Sequence, residues 1–116
     1  MNEIKLKKLG REIANELSII CAIDAHDSLL KKINITGCEV TNDLSFAKVF
    51  FTTLEEIPKN EIEKELNDDT AGYLRTKIAS RLELRHTPKI IFKYDESVAY
   101  GNRIEELIKE IHEKDN

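Results

Sequence analysis

The sequence predicts a single α+β domain in which helices cover one face of a small three-stranded sheet. Three observations carry that prediction. Leu6, Leu9, Ile13, Leu17 and Ile20 recur at spacings of three or four, which is one apolar stripe of an α-helix. Two strand-like runs flank Thr41-Asn42-Asp43, whose Asn and Asp tolerate the left-handed backbone of a hairpin turn. Two further helical segments then separate the second run from a third, a crossover long enough for parallel pairing.

The elements follow in order. The first helix leads through residues 22–30, a connection with room for one helical turn. Residues 33–41 read as a strand with Ile33 and Ile35 two apart, and Gly37 marks a bulge or a close backbone approach. Residues 44–53 read as the second strand. Phe46 and Phe50 fall on one face and Ala47, Val49 and Phe51 on the other, which predicts a central strand or one buried on both sides. Pro58 opens a short acidic helix over 59–66, presenting Ile62 and Leu66. Asn67-Asp68-Asp69-Thr70, poor interior residues and good caps, are expected to interrupt it. A second crossover helix runs over 71–84 on the stripe Ala71, Leu74, Ile78 and Leu82. Thr87 before Pro88 breaks it, residues 90–94 form the third strand, and Ile104, Leu107, Ile108 and Ile111 stripe a final helix. The whole reads as one domain over residues 1–116, with the last few residues frayed.

Composition narrows the function classes. Of 116 residues, 41% are hydrophobic and 34% charged, too apolar for a disordered chain and too charged for a membrane protein. No run approaches the ~20 apolar residues of a membrane helix, and the first residues lack the apolar stretch of a secretion signal. A cytoplasmic protein is expected. Cys21 and Cys38 sit in apolar patterns, with no CxxC pair, and read as packing residues. Asp24, His26 and Asp27 are too few ligands for a metal site, and His86 and His112 stand apart from them. No phosphate-binding glycine loop, HExxH or GxSxG motif is present. No catalytic residue, metal or cofactor is expected.

Charge is segregated. The net charge is −4, yet residues 71–93 hold six basic side chains against one acidic, while residues 54–70 hold two against seven. Arg75, Lys77, Arg81, Arg85 and Lys89 are candidates for a local anion-binding face. Lys77, Arg81 and Arg85 follow at i, i+4 and i+8 if the helix extends that far, with Arg75 across the stripe from Lys77. The bland alternative is a solvated helix face with one or two internal ion pairs. Gly72 is a candidate for close approach of a phosphate to a helix N-terminus; otherwise it only relieves crowding. Tyr73, Tyr94 and Tyr100 are candidates for base stacking, with at least one expected to pack half-buried. Lys48 reads as an exposed strand residue with a contact role left open, and Gly101 and Asn102 as packing features of the last helix ahead of functional ones.

Three ordered stretches carry a resemblance. They are Val40-Thr41-Asn42-Asp43-Leu44-Ser45-Phe46-Ala47-Lys48-Val49-Phe50; Ala71-Gly72-Tyr73-Leu74-Arg75 with Leu84-Arg85-His86-Thr87-Pro88-Lys89-Ile90; and Tyr94-Asp95-Glu96-Ser97 with Gly101, Arg103 and Ile104. Together they resemble the bacterial ribosome-binding factor A family, from about residue 33 to 111 and more loosely through the first helix. The resemblance implies a type II KH-like fold without the GxxG loop by which KH domains clamp nucleic acid. It implies a short kink between the crossover helices, here Thr70-Ala71-Gly72, where Thr70 departs from the family's alanine but retains the means to cap. It further implies a non-enzymatic factor that binds the free or immature small ribosomal subunit and its ribosomal RNA, whose phosphates the basic residues of 71–93 would meet. Such a factor assists RNA maturation, notably in the cold, with ribosomal proteins or other assembly factors as further partners and no membrane. A monomer is expected separately, because three short strands and scattered charge offer no evident dimer seam. Lys7, Lys8 and Arg11 stand, with Lys5, where the family often has arginines, so lysine's point charge replaces part of that bidentate chemistry. The competing readings are a general KH-like single-stranded nucleic-acid module and a protein–protein adaptor.

Overall fold

A computed structural model describes residues 2–23, 29–54 and 56–97. The predicted last helix, with Tyr100, Gly101, Asn102 and Arg103, lies outside them, as do His26 and His112. The described chain runs α1 (Glu3–Ile23), a 3-10 turn (Leu30–Lys32), β1 (Ile33–Val40), β2 (Phe46–Thr53), α2 (Lys59–Glu65), a π-helical turn (Leu66–Thr70), α3 (Ala71–Leu82) and β3 (Lys89–Tyr94). The sheet order is β1-β2-β3, with β1 antiparallel and β3 parallel to β2. This is the expected α+β topology.

The helices cover one face. Ile13 and Leu17 of α1, Leu66 of the π turn, and Leu74 and Ile78 of α3 are buried in one cluster with Val49, Phe51 and Phe92 of the sheet. Phe51 centres it, meeting Phe92 and Tyr94 edge-on with ring centroids 6.1 and 5.6 Å apart. β2 is therefore central, but it is not buried on both sides. Ala47, Val49 and Phe51 face the helices, whereas Phe46 on the opposite face is 42% exposed.

Two glycines shape β1. The pairing slips between Ile35 and Gly37, so Gly37 marks a bulge. The close approach lies at Gly10 instead, where a Cβ would stand 2.5 Å from the Cys38 carbonyl oxygen. Only glycine lets α1 settle so near the strand. The hairpin turn also differs in detail from expectation. Leu44, rather than Asn42 or Asp43, takes the left-handed conformation, at φ 62°. Asp43 Oδ1 accepts from the Ser45 N–H and the Thr41 hydroxyl, and the Thr41 hydroxyl oxygen accepts the Phe46 N–H. That network consumes residues 44 and 45, so β2 begins at Phe46.

The crossover's α-helix gives way where the sequence suggested, but to a π turn rather than to a break. Asn67-Asp68-Asp69-Thr70 pass through one π turn, and the Ala71 N–H donates to the Leu66 carbonyl. Thr70 is buried and makes no side-chain capping bond to α3. Asn67 is occupied elsewhere: its side-chain amide donates to the Phe92 carbonyl at 3.2 Å and accepts the Phe92 N–H at 2.7 Å. Glu63 Oε1 takes the Tyr94 N–H at 2.7 Å. Polar side chains thus cover the free edge of β3. At its other end α3 stops at Leu82, because Glu83 turns left-handed at φ 50°, two residues before the predicted end.

Candidate nucleic-acid interface

The apolar stripes decide where each candidate cation stands. On α1 the buried line is Leu6, Gly10, Ile13 and Leu17. Lys7 and Arg11, one turn apart, lie on the flank toward β1. They line a groove of about 610 Å³ with Ile4, Thr36 and Cys38. Lys8 is exposed on the outer side of the helix and does not line the groove. Burial, and then the neighbouring Glu39, pushes the Cys38 thiol up to about 12, so it stays protonated and unreactive near neutral pH.

On α3 the stripe divides the basic residues. The Arg75 guanidinium donates from Nε at 3.1 Å and Nη2 at 2.9 Å to the Thr87 carbonyl. It ties the loop before β3 to the helix. Arg75, Arg85 and His86 line a second groove of about 740 Å³, walled across from them by Asp43, Leu44 and Ser45. The hairpin turn and the basic segment, far apart in sequence, meet here. Arg85 reaches the groove from the loop after Glu83, not from an extended helix face. Hydrogen bonds from Ser45, and then Thr41, hold the Asp43 carboxyl below the usual carboxylate range, so the groove keeps one fixed negative charge at its wall.

Lys77 and Arg81 stand on the other flank. Lys77 Nζ lies 5.6 Å from the centroid of Tyr73, which is 40% exposed. Arg81 Nε donates to Glu16 Oε2 of α1, an internal ion pair of the kind the bland reading supposed. Gly72 is exposed, and a Cβ there would meet nothing within 4 Å. There is no crowding for it to relieve, and the helical chain before it means that α3 has no open N-terminus. Tyr94 is the half-buried tyrosine, packed on Phe51 with Lys59 Nζ 5.2 Å from its centroid. Lys89, first in β3, is exposed on the sheet face turned away from the helices, together with Lys48 and Lys93.

The structure therefore gathers Lys7 with Arg11 and Arg75 with Arg85, and sets Lys89 apart. Glu16, His86 and Lys93 were not among the sequence candidates. Period-two alternation in residues 89–93 was the available signal for Lys93; nothing local marks Glu16 as a partner of Arg81. Among the described residues no cluster of three or more His, Cys, Asp or Glu could hold a metal.

A mixed three-stranded sheet, helices on one face, a two-helix crossover and cationic grooves define a small α+β domain of KH-like architecture. Comparison with known proteins agrees. Residues 5–108 match the family described as Ribosome-binding factor A. The chain is 36% identical to ribosome-binding factor A of Staphylococcus carnosus (strain TM300), covering 99% of this chain and 100% of that protein. It is also 36% identical to the Brevibacillus brevis protein of that name, covering 96% and 92%. In structure it is similar to a crystallised ribosome-binding factor A from Thermus thermophilus, with TM-score 0.58 and 19% identity over 81% of this chain and 97% of that one. A ribosome binding factor A from Thermotoga maritima gives TM-score 0.58 and 27% identity over 74% and 82%. A Thermus thermophilus ribosome binding factor A fitted into a map of its complex with the 30S subunit gives TM-score 0.54 and 17% identity over 73% and 93%. The chain belongs to the ribosome-binding factor A family.

Proposed function

We propose that this chain binds the free or immature small ribosomal subunit through its ribosomal RNA and assists maturation of that RNA, most of all in the cold. The end-to-end likeness to ribosome-binding factors A carries the reading. The chemistry supports it. An acidic chain concentrates cations in two grooves, and lysine and arginine there can neutralise phosphates and release counterions. Arg85 lines the open groove, and Arg75 uses Nε and Nη2, not Nη1, in its bonds to Thr87. Lys7, Lys8 and Arg11 form the second contact, Lys77 and Arg81 a third once Arg81 leaves Glu16, and Lys89 extends the set onto the sheet. Gly72 leaves room beside α3 for an RNA backbone. The factor works as a cytoplasmic monomer, without cofactor and without catalysis. Among the described residues no helix is long and apolar enough to cross a membrane.

Co-sedimentation of the tagged chain with purified ribosomal fractions tests this. Migration with free small subunits, but not with large subunits or whole ribosomes, and its loss as salt rises from about 50 to 200 mM, is the expected result. Failure to migrate with small subunits at the lower salt would overturn it.

A further inference from the structure

The sheet face opposite the helices has an unusual make-up for a solvated surface. The strand register places Lys48 between Glu39 and Ile91, Phe46 beside Lys89, and Phe50 between Gly37 and Lys93. Phe46 is 42% and Ile91 37% exposed, Phe50 is half-buried, and Lys48, Lys89 and Lys93 are exposed. Rows two residues apart lie about 7 Å from one another along the strands. The face thus alternates flat apolar surface with ammonium groups. Among the described residues of this face the one carboxylate within the strands is Glu39, already opposite Lys48. Beyond the strand, Asp95 takes the Thr36 hydroxyl at the end away from the hairpin turn.

We propose that this face is a binding platform for unpaired single-stranded RNA, with bases laid on Phe46 and Phe50 and phosphates met by Lys48, Lys89 and Lys93. Exposed apolar groups set among cations call for a ligand that is both flat and anionic, and an unstacked RNA strand is such a ligand. Three ammonium groups against Glu39 and, at the end away from the turn, Asp95 still give the face a positive excess on a chain whose net charge is −4. A flat sheet cannot enter the narrow major groove of an RNA duplex, so the platform selects splayed bases. The inference rests on the proposed small-subunit function and deepens it. The grooves beside α1 and α3 meet backbone phosphates on one side of the molecule, and the sheet holds an unpaired stretch on the other.

The test uses the full chain and two probes, a fluorescent oligouridylate of about ten nucleotides and purified small subunits. Phe46→Ala is expected to weaken oligouridylate binding about tenfold, from the lost stacking of one base. Phe46→Tyr keeps the ring and should bind as the parent does. Lys93→Glu, at an exposed position, should weaken binding and flatten its salt dependence. A photo-crosslinking phenylalanine analogue placed at Phe46 should attach to ribosomal RNA within the small-subunit complex. Equal oligouridylate binding by the parent, Phe46→Ala and Lys93→Glu would overturn the platform, as would crosslinks confined to ribosomal proteins. Either result leaves the small-subunit reading intact if the parent chain still co-sediments. Loss of co-sedimentation by the parent would instead remove that reading.

Discussion

Asn67 holds both backbone groups of Phe92, donating to its carbonyl and accepting its N–H. A side chain of the π turn thereby completes the hydrogen bonding of a strand twenty-five residues away. Replacing Asn67 by Ala removes both bonds and frees part of an edge strand. We expect a loss of about 1–2 kcal/mol in urea unfolding and a greater tendency to associate at high protein concentration. Unchanged stability would mean that water replaces the amide at no cost.

That contact also shows why residues 67–70 pass through a π turn between the two crossover helices rather than a break. Asn67, Asp68, Asp69 and Thr70 are a helix-breaking string by local propensity, and only the distant strand explains why the chain stays helical through them. The hairpin, the parallel pairing and the helix stripes were legible because periods of two and 3.6 are local signals. The end of α3 was not, since a left-handed Glu83 has no compositional mark. On the surface, the α3 stripe correctly separated Arg75 from Lys77. The pairing of Arg81 with Glu16 joins residues sixty-five apart, and Asp43 and Arg85 come to line one groove only once the sheet is assembled. Neither leaves a trace in the linear pattern.

Two glycine-to-alanine changes should act in opposite directions. At Gly10 an added methyl would meet the Cys38 carbonyl, and we expect a loss of about 1–3 kcal/mol despite alanine's better helix propensity. At Gly72 the methyl meets open space without a positive φ, and we expect a gain of about 0.5–1 kcal/mol. If RNA backbone approaches there, Gly72→Ala will weaken small-subunit binding while raising the melting temperature. Equal binding would remove Gly72 from the interface.

Glu16 holds the Arg81 guanidinium that the proposed interface would need for phosphate. The two side chains are 24% and 45% exposed, so the pair should contribute under about 1 kcal/mol to stability in a double-mutant cycle. Glu16→Gln frees the guanidinium. We expect tighter RNA binding and a steeper salt dependence, whereas Arg81→Glu should do the reverse. No change on either substitution would confine Arg81 to the α1–α3 contact.

Cys38 supplies a pH test. Its folded value, about 12, lies above the ordinary 9.0, so the unfolded chain loses this proton first as pH rises. The contribution to stability is whole below about pH 9 and declines from there to about pH 12. Cys38→Ala should show a shallower alkaline decline than the parent chain. Iodoacetamide at pH 8 should modify native Cys38 far more slowly than the urea-unfolded thiol; comparable rates would contradict the buried environment.

Clustered cations should make binding to the small subunit salt-sensitive. The most direct measurement is the affinity of the fluorescently labelled chain for free small subunits across a salt series, for the parent and for Arg85→Glu. Log affinity should fall steeply and linearly with log salt, with a slope shallower by about one phosphate contact in Arg85→Glu. A parent affinity indifferent to salt, with Arg85→Glu unchanged, would contradict it and point to protein rather than RNA as the surface recognised.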